Sequence, residues 1–399
     1  MGMEFRPYYL SREWVKMGHN VTIIAASYSH LRKSNPNVNR DFQEELIDGI
    51  KYIWIKTEKY AGNGVSRAKT MYQFVHRIRD KAESIIASID PDVVITSSTY
   101  PLDTYAGQRI KNKSKKKVVL IHEVHDMWPL TPMLIGGMSK YNPFIMIMQR
   151  AENSAYKNSD RVVSLLSNAE TYMKKHGLSD GKFSCIPNGI VEDEWNIETE
   201  PPRQHVELLN NLHNAGYFIA GYFGGHALSN ALGTYLECAK SSGDDKICFV
   251  MVGDGTEKQK LVKQAKIEKI SNVYFLPSID KSAIPKLMSM VDCLCINSTE
   301  NELYKYGVSP NKLLDYMMAA KPIVFSISTY NSIVELYDCG ICTKPNDEND
   351  ILVAINSIKN MSINEREIMG ANGRTAVMKN YLYPQLAQNF LGIMNGEIK

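Results

Sequence analysis

The sequence predicts an α/β protein of two tandem, Rossmann-like, doubly wound domains. Apolar runs of Val, Ile and Leu alternate with segments of helical spacing along the whole chain. This alternation is typical of parallel sheets that are covered by helices on both faces. It pauses at 192–206 (VEDEWNIETEPPRQH), an acidic, Pro-containing stretch with the composition of a linker. A chain of 399 residues is long enough for two domains with separate cores.

The first predicted domain covers residues 1–195. Its apolar runs predict strands at 21–26, 51–56, 92–97, 117–124, 161–166 and 183–187. Segments of helical spacing lie at 66–88, 102–112, 143–157 and 168–176. The chain opens on a helical pattern rather than on a strand, so we expect the first strand of this domain to be missing.

The second predicted domain covers residues 196–380. Its strands are predicted at 217–223, 247–253, 272–277, 293–298, 322–327 and 340–344. Its helices are predicted at 230–241, 256–269, 281–290, 311–320, 348–359 and 363–380. A last helix at 384–396 makes residues 381–399 a segment that we expect to cross back to the first domain. Because open parallel sheets bind ligands beyond the carboxyl ends of their strands, two facing sheets predict a cleft.

Composition excludes several classes of function. A net charge of +3 argues against a dedicated nucleic-acid-binding protein. Seven cysteines and no secretory leader favour a reduced, cytoplasmic location over a disulfide framework. The single CxxC at 339–342 has no second ligand pair, so we predict no metal site. The lysine-rich stretch KNKSKKK (111–117) is either a solvated loop or a weak contact with anionic lipid.

Glycine-rich loops follow two predicted strands of the second domain. In GYFGGHALSN, Gly224 and Gly225 allow a ligand to approach the backbone, and Asn230 lies at a helix start that suits a phosphate. The sequence VGDGTEKQ repeats this arrangement with Gly253, Asp254 and Gly255. Taken alone, each loop is equally well explained as a tight turn before a capped helix.

Two further segments follow predicted strands of the second domain. The strand at 272–277 ends at Pro277, where exposed backbone could contact the edge of a flat base. The segment YGVSPNKLLDYM begins a helix near Asn311, and it places Lys312 three residues before Asp315. A lysine suits a phosphate and a carboxylate suits a ribose diol, although a surface Lys–Asp pair is the simpler alternative. Together, the four loops favour a nucleotide diphosphate.

Ionisable residues also gather after a strand of the first domain, in IHEVHDMWP. His122, Glu123, His125 and Asp126 precede Trp128. Several titratable groups at one strand end suggest a functional site. In the opening helix, the charged residues Glu4, Arg6, Arg12 and Glu13 either face the cleft or form ordinary helix surface.

The motifs resemble those of family 4 glycosyltransferases of the GT-B fold, over nearly the whole chain. The resemblance rests on HDMWP, SDRVVSLLSN, CIPNGI, MVGDGTEKQKLVKQA, NVYFLPSIDKSAIPKLMSMVDCLCI and SPNKLLDYMMAAKPIV, in this order. GMEFRPYYLSREWVK, GGHALSNAL and YGVSPNKLLDYM look similar to bacterial transferases of O-antigen, capsule or exopolysaccharide synthesis, including N-acetylfucosaminyl transferases.

The resemblance implies a role for each segment. The donor would be a UDP-sugar, with the diphosphate near Gly225, His226, Lys312 and the backbone of Ser309 to Lys312. Asp315 would bind the ribose, and the backbone of Pro277 and Ser278 would face the uracil. His125 and Asp126 would lie near the transferred sugar, with Glu4, Arg6 and Trp128 towards the acceptor. The family retains anomeric configuration and uses neither metal nor cofactor.

The resemblance also implies an acceptor that is a glycan or a lipid-linked sugar, met at the inner face of the plasma membrane. Two departures from the family pattern are visible. Asp315 and Gly307 stand where many relatives carry the two glutamates of E-x7-E, and the first glycine loop lacks the usual Arg/Lys pair. Two alternatives remain: a UDP-sugar 2-epimerase of the same architecture, or a truncated protein that binds a nucleotide sugar without turnover.

Overall fold

The computed structural model divides the chain into two compact units. The N-terminal unit is Met1–Asn188 together with Tyr383–Lys399, and the C-terminal unit is Gly189–Leu382. The structure describes residues 5–30, 32, 34–60, 62, 64–197, 199–243 and 246–397.

The strands follow the apolar runs closely. They are β1 (Thr22–Ala26), β2 (Gln43–Ile47), β3 (Ile50–Ile55), β4 (Val93–Thr96), β5 (Val119–Val124), β6 (Arg161–Ser164), β7 (Phe183–Cys185), β8 (Phe218–Phe223), β9 (Ile247–Val252), β10 (Val273–Leu276), β11 (Cys293–Asn297), β12 (Ile323–Ser326) and β13 (Gly340–Cys342). The sequence predicted all of them except β2, whose residues are mostly charged and exposed.

Helices separate most of these strands. They are α1 (Phe5–Lys16), α2 (Val65–Asp80), α3 (Ala82–Ile89), α4 (Thr104–Lys113), α5 (Leu130–Leu134), α6 (Pro143–Asn158), α7 (Glu170–Lys175), α8 (Glu192–Trp195), α9 (Arg203–Asn214), α10 (Gly233–Ser241), α11 (Lys258–Ile267), α12 (Ile284–Ser289), α13 (Asn311–Met318), α14 (Ile333–Leu336), α15 (Glu348–Asn360), α16 (Ile363–Asn380) and α17 (Tyr383–Asn395).

Two helix predictions are corrected by the structure. The predicted helix 66–88 is two helices, because the backbone of Lys81 leaves the helical conformation between α2 and α3. The predicted linker 192–206 contains α8 and the first turn of α9. Helix α9 forms because Leu209 and Leu212 lie on one face and are buried in the core.

The N-terminal unit contains two sheets. One has the order β1-β3-β2, in which β2 is antiparallel to β3, and the other is parallel with the order β4-β5-β6-β7. The first described element is helix α1, and β1 and β4 are edge strands among the described residues. The side chains of β1, although apolar, are only half-buried. Helices α2, α3 and α4 pack against residues of both sheets, which makes one unit of them.

Helices α1 and α17 pack together within the N-terminal unit. The indole Nε1 of Trp14 donates a hydrogen bond to the carbonyl of Ala387 at 3.0 Å. Its ring lies edge-on to Phe390, and Tyr9 contacts Tyr383. The C-terminal helix therefore belongs to the core of the unit that opens the chain.

The C-terminal unit contains one six-stranded parallel sheet with the order β10-β9-β8-β11-β12-β13. Apolar clusters cover both faces of this sheet, so its strands are buried throughout. The strand order reverses between β8 and β11. In a doubly wound sheet the ligand crevice lies at such a reversal, beyond the carboxyl ends of the strands. The topology thus points to the loops after Phe223 and Asn297.

Candidate functional sites

The glycine loops after β8 and β9 are interlocked by their backbones. The amide of Gly224 donates to the carbonyl of Val252 at 3.0 Å, and the amide of His226 donates to that of Asp254 at 2.8 Å. A Cβ atom on Gly255 would lie 2.4 Å from the carbonyl oxygen of His226, and one on Gly253 would lie 1.9 Å from that of Gly224. Gly253 and Gly255 are therefore needed because two backbones pass too close together for any side chain.

Lys312 reaches from the first turn of α13 to these loops. Its Nζ donates hydrogen bonds to the hydroxyl of Tyr222 and to Oδ1 of Asn230, both at 2.9 Å, and it lies over the Tyr222 ring. Tyr222 and Asn230 in turn donate to the carbonyl of Gly225. These four residues form the Lys312 cluster. Of the residues predicted as donor-binding, the structure brings Lys312, Asn230, Gly224 and Gly225 directly together.

The ammonium group of Lys312 has no carboxylate within ion-pair distance in the described part of the chain. Burial lowers the pKa of Lys312 from 10.5 to about 8, because the charged form is separated from water without a compensating anion. A half-buried cation without a counter-ion is unfavourable in the free protein. The arrangement is suited to an anionic ligand, whose charge would compensate the ammonium group.

His226 lies fully buried beside this cluster. Neither ring nitrogen has a hydrogen-bond partner among the described residues. Burial, followed by the nearby Lys258 ammonium, lowers the pKa of His226 and favours its neutral form. Because buried polar groups in proteins are nearly always paired, the unpaired imidazole is a second indication that a ligand belongs here.

The start of α13 offers backbone donors close to Lys312. Pro310 is the N-cap residue and carries no side-chain cap, and Asn311 is exposed in the first turn. The free amide groups of a helix N-terminus and its dipole favour negative charge. Ser309 is half-buried immediately before the helix. These features place a helix N-terminus without a side-chain cap next to Lys312, an arrangement that favours negative charge.

Asp315 does not pair with Lys312, so the simpler explanation of a surface Lys–Asp pair does not describe the structure. Burial raises the pKa of Asp315 to about 6, and Lys281, Glu194 and a hydrogen bond from Trp195 modify it. Glu194 and Lys281 form an ion pair next to it. Helix α8, which the sequence placed in a linker, therefore supplies the neighbours of Asp315.

The carbonyl of Pro277 is already used within the unit, because it is paired with Nε2 of His205 at 3.1 Å. Pro277 and Ser278 are exposed, as is Asp254. Lys258, which sequence reasoning did not select, donates to the carbonyls of Gly253 and Leu276. This lysine fixes the second glycine loop against the end of β10. Its place in the sequence, two residues after Thr256, gave no indication of that role.

In the N-terminal unit, a buried carboxylate organises the ends of β4 and β5. Glu123 accepts hydrogen bonds from Nε of Arg6 and Nε2 of His125, both at 2.9 Å, and from the hydroxyl of Ser97. Burial would raise the pKa of Glu123, but Arg6 and then His125 hold it well below its usual range. Glu123 stood in the predicted cluster without an assigned role, and the structure makes it the central residue.

Arg6 was predicted to lie towards the sugar acceptor, but its surroundings in the structure do not suit that role. Its guanidinium is buried and also donates to the carbonyls of Ile186 and Pro187. The structure therefore makes Arg6 a residue that positions Glu123. Glu4 lies outside the described residues.

Asp126 is likewise used by its own loop. One carboxylate oxygen accepts from the amide of Met127 and the hydroxyl of Thr131, and the other accepts from the indole of Trp128 at 3.1 Å. Both oxygens are thus occupied in holding the turn that presents Trp128. Of the two residues predicted to be catalytic, His125 is the one that pairs with a carboxylate, and its side chain is 18% exposed.

A small, partly open polar pocket lies next to these residues. It is lined by Ser98, Thr99, Tyr100, Pro101, His122, Glu123, Val124, Asp126, Trp128, Glu152 and Tyr156. Glu152 accepts hydrogen bonds from Gln149, Tyr156 and Tyr172. Burial raises its pKa to about 7.

Within the described residues, no three His, Cys, Asp or Glu side chains are grouped as a metal site would require. The seven cysteines are free thiols. No helix of the described part of the chain is long and apolar enough to cross a membrane.

Two segments of the chain match family models of glycosyltransferases. Residues 2–194 match the model of Glycosyltransferase Family 4, and residues 232–376 match that of Glycosyl transferases group 1. A curated relative is the putative colanic acid biosynthesis glycosyl transferase WcaI of Escherichia coli (strain K12). It is 20% identical over 258 residues, which span 62% of this chain and only 62% of that relative.

Solved structures support the fold. Sucrose-phosphate synthase from Thermosynechococcus elongatus matches with a TM-score of 0.74 and 15% identity, over 100% of this chain and 94% of that one. Anabaena HepE in complex with UDP and glucose matches with a TM-score of 0.60 and 16% identity, over 87% of each chain. The predicted fold of two Rossmann-like α/β domains is confirmed.

Proposed function

We propose that this chain, which joins a family 4 and a group 1 glycosyltransferase domain, transfers a sugar with retention of configuration from a UDP-sugar to a glycan or lipid-linked acceptor. The observation that carries the donor part is the half-buried ammonium group of Lys312, which has no carboxylate partner among the described residues and lies at the reversal of the strand order. HepE, which shares the fold, was solved with UDP and glucose.

The diphosphate is the natural ligand for the Lys312 cluster. Lys312 supplies a positive charge, the start of α13 supplies backbone donors, and Gly225 leaves the approach open because a Cβ there would meet nothing closer than 3.9 Å. Negative charge develops on the leaving diphosphate as the bond to the sugar breaks. A preformed cation at that position stabilises this charge, and no metal is needed to do so.

The remaining contacts with the donor are proposed from the positions of these residues in the C-terminal unit. Asp315 binds the ribose diol, while the segment at Pro277 and Ser278 lies towards the base. His226 donates one hydrogen bond to a ligand oxygen, since neither ring nitrogen has a hydrogen-bond partner among the described residues. Gly253 and Gly255 act through the loop geometry that they permit rather than through contact, and Asp254 presents its carbonyl to the same loop.

The N-terminal unit binds the acceptor. His125 and Glu123 form the pair that contacts the reacting sugar, with Arg6 and Ser97 holding the carboxylate. Asp126 acts by positioning Trp128, whose ring offers a flat apolar face for a sugar. The polar pocket beside them supplies hydrogen-bonding groups for hydroxyls.

The class of reaction belongs to bacterial surface polysaccharide synthesis, as the motif resemblance and the description of the E. coli relative suggest. We expect the donor to carry an N-acetylated hexosamine or deoxyhexosamine, and the enzyme to work in the cytoplasm, at the inner face of the plasma membrane. No cofactor is required in this scheme.

The test is a screen of UDP-sugars with lipid-linked and free glycan acceptors, followed by mass spectrometry of the products and by NMR of the new anomeric bond. We expect transfer with retention, and its loss in Lys312→Met but not in Lys263→Met, an exposed lysine of α11. Conversion of a UDP-sugar without acceptor would indicate an epimerase instead. Binding of UDP without turnover of any tested pair would overturn the transferase proposal.

A further inference from the structure

Apolar side chains are exposed together on α5, the loop after it and the start of α6. Their exposed fractions range from 39% to 75%, and they are Leu134, Ile135, Tyr141, Met146 and Ile147. We call these five residues the apolar surface. A group of this kind within a short segment is unusual for a water-facing region, where such residues are normally scattered.

Helix α6 shows that core packing does not explain this surface. Ile145 and Met148 are buried and supply its core-facing side, whereas Met146 and Ile147 point to solvent. The outer face of a surface helix is normally polar. The sequence FIMIM therefore carries two more large apolar side chains than the fold requires.

The two charged residues within the segment that carries the apolar surface are both cations. From Met127 to Ala151 the sequence contains no Asp or Glu, while Lys140 and Arg150 lie in this segment. Both are exposed, and neither forms an ion pair with another described residue. In the lysine-rich stretch KNKSKKK, Lys111, Lys113 and Lys116 each pair with a carboxylate, whereas Lys115 and Lys117 are exposed.

We propose that the apolar surface inserts into the interface of an anionic lipid membrane, with Lys140 and Arg150 contacting lipid phosphates. Exposed apolar side chains flanked by cations are the combination that holds proteins at such interfaces. Trp128, which lines the polar pocket, packs edge-on against Phe144 at the start of α6, with ring centroids 6.2 Å apart.

This contact goes beyond the transfer reaction, and its detection requires no turnover. If the proposed function holds, it also favours a lipid-linked acceptor, because the pocket then lies beside the headgroup region. A failure of membrane binding would leave UDP binding intact, so the two proposals fail separately.

The test is co-flotation of the full chain with vesicles of 30% phosphatidylglycerol and 70% phosphatidylethanolamine. We expect wild type to float with them and the double variant Ile135→Ser, Ile147→Ser to bind at least about tenfold more weakly. The matched control Ile363→Ser, Ile368→Ser removes two exposed isoleucines of α16, and we expect it to stay within about twofold of wild type.

A second pair of variants tests the charges. Lys140→Gln, Arg150→Gln should weaken binding to anionic vesicles and reduce its dependence on salt, while Lys263→Gln, Lys266→Gln on α11 should not. The proposal is overturned if wild type does not bind the vesicles, or if both isoleucine pairs reduce binding equally. It is also overturned if Ile135→Ser, Ile147→Ser alters self-association in sedimentation without changing vesicle binding.

Discussion

Replacing Lys312 by methionine should stabilise the free protein while removing its ligand site. The pKa of Lys312 is lowered from 10.5 to about 8 by burial, which corresponds to about 3 kcal/mol of unfavourable free energy at neutral pH. Methionine has a similar length and no charge. It gives up two hydrogen bonds, to Tyr222 and Asn230, each contributing about 1 kcal/mol. We therefore expect a net gain of about 1–2 kcal/mol at pH 7.

The pH dependence of this stability gain follows from the lowered pKa of Lys312. In the folded protein the lysine holds its proton less tightly than in the unfolded chain. The penalty is therefore complete below pH 8 and disappears as the pH rises from about 8 towards 10.5. The stability gained by Lys312→Met should shrink across the same pH range. Other groups titrate there too, but they contribute equally to both proteins, so the difference between the two free energies of unfolding reports Lys312 alone.

Denaturant unfolding of wild type, Lys312→Met and the exposed control Lys263→Met, measured at pH 7 and pH 9.5, checks this prediction. We expect a gain at pH 7 for Lys312→Met alone. Destabilisation of Lys312→Met at pH 7 would refute the reasoning, since it would show that the ammonium group is well compensated in the free protein.

Three further predictions concern other parts of the two sites. Gly255→Ala should destabilise the protein by more than about 2 kcal/mol in denaturant unfolding, because its Cβ would meet the backbone of His226; Gly233→Ala, which meets nothing within 4 Å, should be close to neutral. Glu123→Gln should cost about 3–5 kcal/mol because Arg6 is left buried and unpaired. The pKa of Glu123 is lowered, so this cost should persist from pH 8 to pH 5 and decrease only below the unfolded value of about 4.3. Equal unfolding midpoints of wild type and Glu123→Gln at pH 7 would contradict this prediction. As a control, Glu207→Gln breaks an exposed ion pair with Arg203 and should change stability by less than about 0.5 kcal/mol. Asp315→Ala should weaken binding of UDP about tenfold but leave 2′,3′-dideoxy-UDP unchanged in calorimetry, whereas Trp195→Phe, which removes only the indole donor, should keep the discrimination between the two nucleotides.

The elements of the fold could be predicted largely because hydrophobic periodicity reports burial directly. The six strands of the C-terminal unit are almost wholly apolar, and each was predicted within a residue or two. Strand β2 was missed because its charged residues lie at an exposed sheet edge, where burial leaves no pattern. Helix α9 was hidden by the acidic, Pro-containing residues that precede its apolar face.

The candidate sites were only partly predictable for a different reason. Residue type and spacing selected Lys312 and the glycine loops as candidates, which stay predictions. They could not show that Tyr222 and Asn230 hold the lysine, because these contacts span more than 80 positions of sequence. The occupied oxygens of Asp126 and the buried guanidinium of Arg6 likewise follow from tertiary contacts alone.

Calorimetric titration of the purified protein with UDP, beside Lys312→Met and Lys263→Met, tests the donor site most directly. The account predicts binding by wild type and Lys263→Met, and a loss of at least about tenfold in Lys312→Met. It also predicts proton uptake on binding near pH 8, because the diphosphate raises the pKa of Lys312. Undiminished binding by a folded Lys312→Met, or no binding of any nucleotide by folded wild type, would contradict it.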